Sequence, residues 1–178
     1  MAQRGLSELE ACVLALIGSS GPSTPYAVRQ EFLNSLSPQW SGSAGAIYPL
    51  VERLERRRLI RSTKYSTGRR EGRLLSLTAA GSRAVRRWLR PDLQDWVMGV
   101  PPDPLRTRVE FLGTLPPQEQ RDFLQAAVRS VDRQLKEILR DTQRRKLKSG
   151  FDYWTSRGAM LSMYARLRWL RELIKAMG

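Results

Sequence analysis

The chain has 178 residues, enough for one compact domain or two small ones, and a hydrophobic content of 41% that suits a folded core. Its 31 Lys and Arg against 17 Asp and Glu leave a formal net charge of +14 and a pI near 11.1, which implies an anionic partner: nucleic acid, an acidic membrane surface or an acidic protein. There is no histidine, which excludes Ser-His-Asp and Cys-His catalysis and most zinc sites, so neither metal nor cofactor is expected.

The first residues, "MAQRGLSELE", lack the charged-then-apolar order of a signal peptide, and no apolar run approaches the roughly 18–20 residues that cross a bilayer. A soluble, cytoplasmic protein is expected. Ser7 and Glu10 form a capping-box pattern ahead of Leu9, Val13, Leu16 and Ile17 at helical spacing, and "GSSGPS" ends this first helix. The single cysteine, Cys12, lies in its apolar run and reads as a buried thiol in a reducing compartment. Thr24 and Pro25 are an N-cap and first-turn pair for a second helix that buries Val28, Phe32 and Leu36. "SPQWSGS" is the next break. The third helix is predicted to start near Gly45, which puts Pro49 in the first turn, where its missing N–H costs no hydrogen bond. Ile47, Leu50 and Leu54 then share a buried face, with Ser43, Ala44, Tyr48 and Glu52 on another.

"LIRSTKYS" and "RLLSL" are strand-compatible and joined by "TGRREG", which predicts a β-hairpin with a loop longer than two residues, bracketed by Gly68 and Gly72. Thr78 caps a fourth helix, "AAGSRAVRRWLR", ended by Pro91. Residues 91–105 form a proline-rich connector, and two longer helical segments follow. In the first, Leu124, Val128, Val131, Leu135 and Ile138 step by four and three residues, a heptad seam; in the second, Tyr153, Met160, Tyr164, Leu167, Ile174 and Met177 form a stripe.

Three helices, a basic hairpin and a helix are the layout of a winged helix-turn-helix. The chain resembles the PadR family of bacterial transcriptional regulators through "LSELEACVLALI", "PYAVRQEF", "IYPLVERLERRRLI" and the wing ending "LSLTAAG", over roughly residues 6–90. Beyond that the likeness rests on length and helical pattern. Three positions depart from the family pattern. Arg58 stands where the family usually has the glycine that relieves a left-handed cap. Pro25 replaces a common glycine before Tyr26, and Leu74 and Leu75 stand where the family tends to have tyrosine in the second wing strand.

The resulting expectation is a mainly α fold, α+β by its wing hairpin: a winged helix-turn-helix DNA-binding domain over residues 1–90, then a helical dimerisation and effector-sensing region over residues 91–178. Between positions 53 and 73, Arg53, Arg56, Arg57, Arg58, Arg61, Lys64, Arg69, Arg70 and Arg73 face only Glu55 and Glu71. Guanidinium groups match phosphate bidentately, and this cluster falls where winged folds meet a duplex; its bland reading is a solvated face. The N-terminal part of the third helix is the part that reaches base edges in helix-turn-helix proteins. The candidate DNA contacts are Thr24, Tyr26, Ser43, Ala44, Tyr48, Arg53, Lys64, Arg69, Arg70 and Arg73. Tyr48 is either a reader or a half-buried surface aromatic, and Glu52 either accepts from a cytosine or pairs with Arg56.

The candidate dimer interface is Leu124, Val128, Val131, Leu135, Ile138, Met160, Tyr164, Leu167 and Ile174; its alternative is packing within the chain onto the winged domain. In the PadR family, ligand responsiveness is associated with apolar space between the winged domain and the dimer helices. The resemblance therefore offers Trp88, Trp96 and Trp154 as a pocket for a small aromatic effector, against plain interface core. The expected protein is a sequence-specific, homodimeric repressor of transcription, relieved by an effector, with operator DNA as partner and no membrane. A nonspecific architectural or RNA-binding protein fits the charge alone. Neither a P-loop, a G-x-G-x-x-G run nor a clustered acidic pair supports an enzyme.

Overall fold

The computed structural model describes residues 5–35, 37–67, 70–90, 95–146 and 150–177, with the main chain alone at 67, 70, 95, 96 and 144–146. It divides into two compact units, Met1–Gly99 and Val100–Gly178.

In the first unit, helix α1 spans Glu8–Ser20 and opens with the expected capping box: the Ser7 side chain accepts from the Glu10 N–H, and Glu10 reaches back to the Ser7 N–H. Helix α2, Pro25–Leu33, starts where Thr24 accepts from the Ala27 N–H. Val28 and Phe32 are buried as expected; Leu36 lies outside the described residues. The stretch read as a break contains a short helix, α3, Pro38–Gly42. It exists because Pro38 presets the first turn and Trp40 packs edge-on against Phe32, with ring centroids 5.9 Å apart. A 3-10 turn, Ser43–Ala46, leads into helix α4, Ile47–Arg56, with Pro49 at its third residue. Ile47, Leu50, Val51 and Leu54 of α4 are buried among Val13, Leu14, Ile17 and Val28.

Of the two outcomes open at Arg58, a strained turn or a cap of another shape, the structure has the strained left-handed turn. The Leu59 N–H donates to the Leu54 carbonyl and the Arg58 N–H to that of Glu55, the Schellman arrangement. Its left-handed residue is Arg58, at φ 56°, the one non-glycine with positive φ among the described residues. Strands β1, Ile60–Thr67, and β2, Arg70–Leu77, pair antiparallel from Ile60↔Leu77 to Thr67↔Arg70. The connection is therefore two residues, 68–69, shorter than expected. Gly72 belongs to the strand, opposite Tyr65, and a Cβ there would lie 2.6 Å from the Tyr65 ring. The wing thus carries an aromatic on β1, Tyr65, laid across a glycine on β2. Leu75 is fully buried and exchanges two backbone hydrogen bonds with Ser23, so the segment before α2 extends the sheet.

Helix α5, Ala79–Trp88, is capped by Thr78, whose hydroxyl accepts from the Gly81 N–H and donates to the Arg58 carbonyl. Gly81 passes so close to the end of α4 that a Cβ would sit 2.0 Å from the Leu59 carbonyl oxygen. Within the connector lies a four-residue helix, α6, Asp95–Met98.

The second unit begins with helix α7, Pro104–Glu110, which takes up the last residues of the proline-rich connector. Asp103 caps it by accepting from the Leu105 and Arg106 N–H groups and pairs with Arg166 at 2.6 Å. Helices α8, Pro117–Lys146, and α9, Phe151–Ala176, pair along their lengths as a hairpin. Ser156 near the start of α9 donates to Asp141 near the end of α8. Leu124, Val131, Leu135, Met163, Leu167 and Leu170 form the core of this hairpin. No helix among the described residues is long and apolar enough to cross a membrane.

Candidate nucleic-acid interface

The surface available to a duplex is built by α2, the 3-10 turn and the first turns of α4, which pack on one another, together with the hairpin. The apolar spacing of α4 rotates Ile47, Leu50 and Leu54 inward, so Tyr48 and Glu52 turn outward; Tyr48 is 42% exposed and Tyr26, at the front of α2, is 61% exposed. Thr24 uses its oxygen to cap α2, which leaves its hydroxyl proton to donate. Ser43 is half-buried and donates to the Gln39 carbonyl at 2.7 Å.

Ala44 does not belong to this surface. It is 2% exposed and lies in the core of the unit, because the 3-10 turn tightens the backbone and points its methyl group inward. It therefore presents nothing to a base edge.

The basic cluster separates into two kinds of charge. Glu10 of α1, 6% exposed, takes Arg53 Nε on Oε1 at 3.1 Å and Arg57 Nη1 on Oε2 at 3.0 Å. Burial alone would raise the Glu10 pKa. The Ser7 N–H and the two guanidiniums outweigh it and hold the carboxyl below its ordinary value. Arg73 of β2 pairs with Glu55 of α4 at 2.8 Å and so fastens the wing to the helix. Arg53 and Arg73, both candidate DNA contacts, are thus engaged by carboxylates of the winged unit itself. Arg56, Arg58, Arg61 and Lys64 are exposed and have no ion pair among the described residues. Arg69 lies outside the described residues, as does the side chain of Arg70.

The tryptophans are placed unit by unit. Trp88 donates its indole N–H to Glu8 at 3.1 Å and ties α5 to α1 inside the winged unit. Trp154, 62% exposed on α9, packs edge-on against Tyr153 in the helical unit. The side chain of Trp96 lies outside the described residues.

Of the candidate interface residues, Leu124, Val131, Leu135 and Leu167 are buried between α8 and α9 of one chain, with Val128, Ile138, Met160 and Ile174 packed against them. Within the helical unit, the apolar seam of α8 packs against α9 of the same chain. The large hydrophobic side chains exposed on α9 are Phe151 at 89%, Trp154 at 62%, Leu161 at 53% and Tyr164 at 45%. Leu161 and Phe151 fall off the Tyr153–Met177 stripe, so helical spacing alone does not single them out.

Residues 13–87 match the model of the transcriptional regulator PadR-like family. No curated protein matches the chain by sequence. Among solved structures, Bacillus subtilis PadR in complex with operator DNA is 18% identical, with a TM-score of 0.81 over 97% of this chain and all of that one. The same protein in complex with p-coumaric acid gives 18% and 0.72, over 95% of this chain and 94% of that one. The Vibrio cholerae virulence activator AphA gives 16% and 0.70, over 96% and 98%. At these identities the structural likeness concerns the fold.

Proposed function

We propose, from the match of residues 13–87 to the PadR-like family of transcriptional regulators, that the chain is a member of that family and a sequence-specific, homodimeric repressor released from operator DNA by a small effector. The observation that carries the DNA reading is the sorting of the basic cluster. Glu10 and Glu55 hold Arg53, Arg57 and Arg73, while Lys64 and Arg61 on the hairpin stay exposed, as do Tyr26 on α2 and Tyr48 on α4. A surface that neutralises some of its own charge and leaves the rest on a wing has the form of a duplex-binding face: mobile charges grip phosphate, and the front of α4 meets base edges. The domain division near residue 90 and the pairing of two chains through the outer face of α8 and α9 belong to the same proposal. So does release by a ligand, a reading supported by the fold shared with Bacillus subtilis PadR, which binds p-coumaric acid in one of its structures.

The test is selection of duplexes from a random pool, followed by anisotropy titration on the selected site and on a scrambled one. A regulator prefers its site by at least about a thousandfold and loses affinity steeply with salt. Equal affinity for both duplexes would replace this reading with a nonspecific architectural protein, which the +14 charge alone also suits.

A further inference from the structure

A second cationic feature lies in the winged unit and shares only Arg57 with the basic cluster above. Between the chain entering α1, the end of α4 and the outer face of α5 is a pocket of about 170 Å³. Its apolar lining is Leu6, Leu59, Ala80 and Ala84, and three arginines, Arg57, Arg83 and Arg87, line it as well. Arg83 and Arg87 stand one turn apart on α5, where like charges repel. Neither has an ion pair among the described residues. The pocket is also stiff. Its Leu59 wall is clamped by Thr78 and by the close passage of Gly81, and Arg57 is held in place by Glu10. Three guanidiniums over an apolar floor in a pre-formed concavity are a receptor for an oxyanion, and preorganisation lowers the cost of filling it. A cavity of about this size holds a single six-membered ring.

We propose that Arg57, Arg83 and Arg87 form a binding site for a small oxyanion, a carboxylate or phosphate group, and that its occupancy is read out at the DNA surface. The link is the shared guanidinium. Arg57 lines the pocket while donating to Glu10, and Glu10 also holds Arg53 on the outer half of α4. An anion competes with Glu10 for Arg57 and slackens the tether between α1 and α4. The coupling rests on the regulator reading; the site does not.

Inorganic phosphate and benzoate are titrated calorimetrically, each separately, into the full chain at constant ionic strength, and into an Arg83→Gln/Arg87→Gln variant. Saturable binding of at least one anion is expected, weakened tenfold or more in the variant. The tighter of the two assigns the source: phosphate for a purely polar ligand, benzoate for one that also uses the apolar floor. Absence of saturable binding to the wild type, or equal binding by the variant, overturns the site. Both residues are on the surface of α5, so a melting curve that matches the wild type shows the variant folded; Arg83→Lys, which keeps charge and loses the planar fork, gives an intermediate affinity. The binding anion is then added to the protein on its selected duplex. Affinity is expected to fall at least about fivefold in the wild type, and the ratio with and without anion to approach one in the variant. An unchanged ratio in the wild type overturns the coupling. A chain that binds anion yet selects no duplex overturns the regulator reading and leaves the site standing.

Discussion

Glu10 accepts from Arg53 across 43 residues of chain, and through its other oxygen from Arg57, so a single buried carboxylate fastens helix α4 to α1. Removing the carboxylate takes away the acceptor of both guanidiniums, which are themselves only partly buried, so the loss is smaller than for a fully buried pair. Glu10→Ala is expected to destabilise the winged unit by about 2 kcal/mol, a discounted figure because the Arg53 side chain is half exposed. Urea unfolding followed by circular dichroism measures it; an unchanged midpoint would show the cluster to be without energetic consequence.

The same carboxylate gives a direction with pH. Its folded pKa is lowered, so its contribution is fully present above the ordinary value of 4.5 and is lost as pH falls through the folded value. The unfolding midpoint of the wild type should therefore drop through that acid range more steeply than that of Glu10→Gln, which has nothing to protonate. Parallel curves for the two proteins would remove Glu10 from the acid response.

Arg58→Gly tests the strained cap. An L residue in the left-handed region costs about 1–2 kcal/mol, and glycine returns about 0.5–1 kcal/mol of that through the entropy of its unfolded chain. A net gain of about 0.5 kcal/mol is expected. A loss of stability on the same measurement would mean that the Arg58 side chain contributes more than its backbone strain.

Gly81→Ala is the opposite case. A methyl group 2.0 Å from the Leu59 carbonyl cannot be accommodated by a side-chain rotation, because the neighbour is backbone. α5 must move away from the end of α4, at a cost of about 3 kcal/mol or more. Thermal denaturation of the variant should show the winged unit melting well below wild type, and a coincident melt would contradict the close approach.

Arg53→Ala and Lys64→Ala separate charges spent on the fold from charges left for DNA. Lys64→Ala should reduce the slope of log affinity against log salt by about 0.9. Arg53→Ala should leave that slope near wild type and lower stability, since its charge is already paired with Glu10. The reverse pattern in the two titrations would place Arg53 on phosphate.

For assembly, the burial pattern changes which substitution is informative. Leu135→Asp puts a charge into the closed α8–α9 hairpin and is expected to unfold it, whereas Leu161→Asp with Tyr164→Asp alters the exposed face alone. Light scattering should show the double variant as a folded monomer beside a dimeric wild type. A monomeric wild type at micromolar concentration would end the dimer proposal.

Local signals carried most of the architecture. The capping box at Ser7 and Glu10, the Thr24-Pro25 helix start and Pro49 in the first turn of α4 all act within a few residues, so spacing and residue type suffice to place them, whereas an arginine at 58 does not announce its left-handed cap. Asp103-Pro104 is the same kind of signal as Thr24-Pro25, and α7 was legible by it though it went unread. The candidate site was less legible because burial and pairing are set by partners far along the chain. Nothing near Arg53 in sequence announces Glu10, nothing near Ala44 announces the core that encloses it, and Gly72 looks like a turn residue until Tyr65 is placed opposite. The heptad seam of α8 shows the limit most plainly. A 3.5-residue apolar period states that a helix has a partner along one face, and the energetics are the same whether that partner is another chain or α9. Which of them closes the seam depends on how the chain turns back on itself after Lys146, and period alone is blind to that.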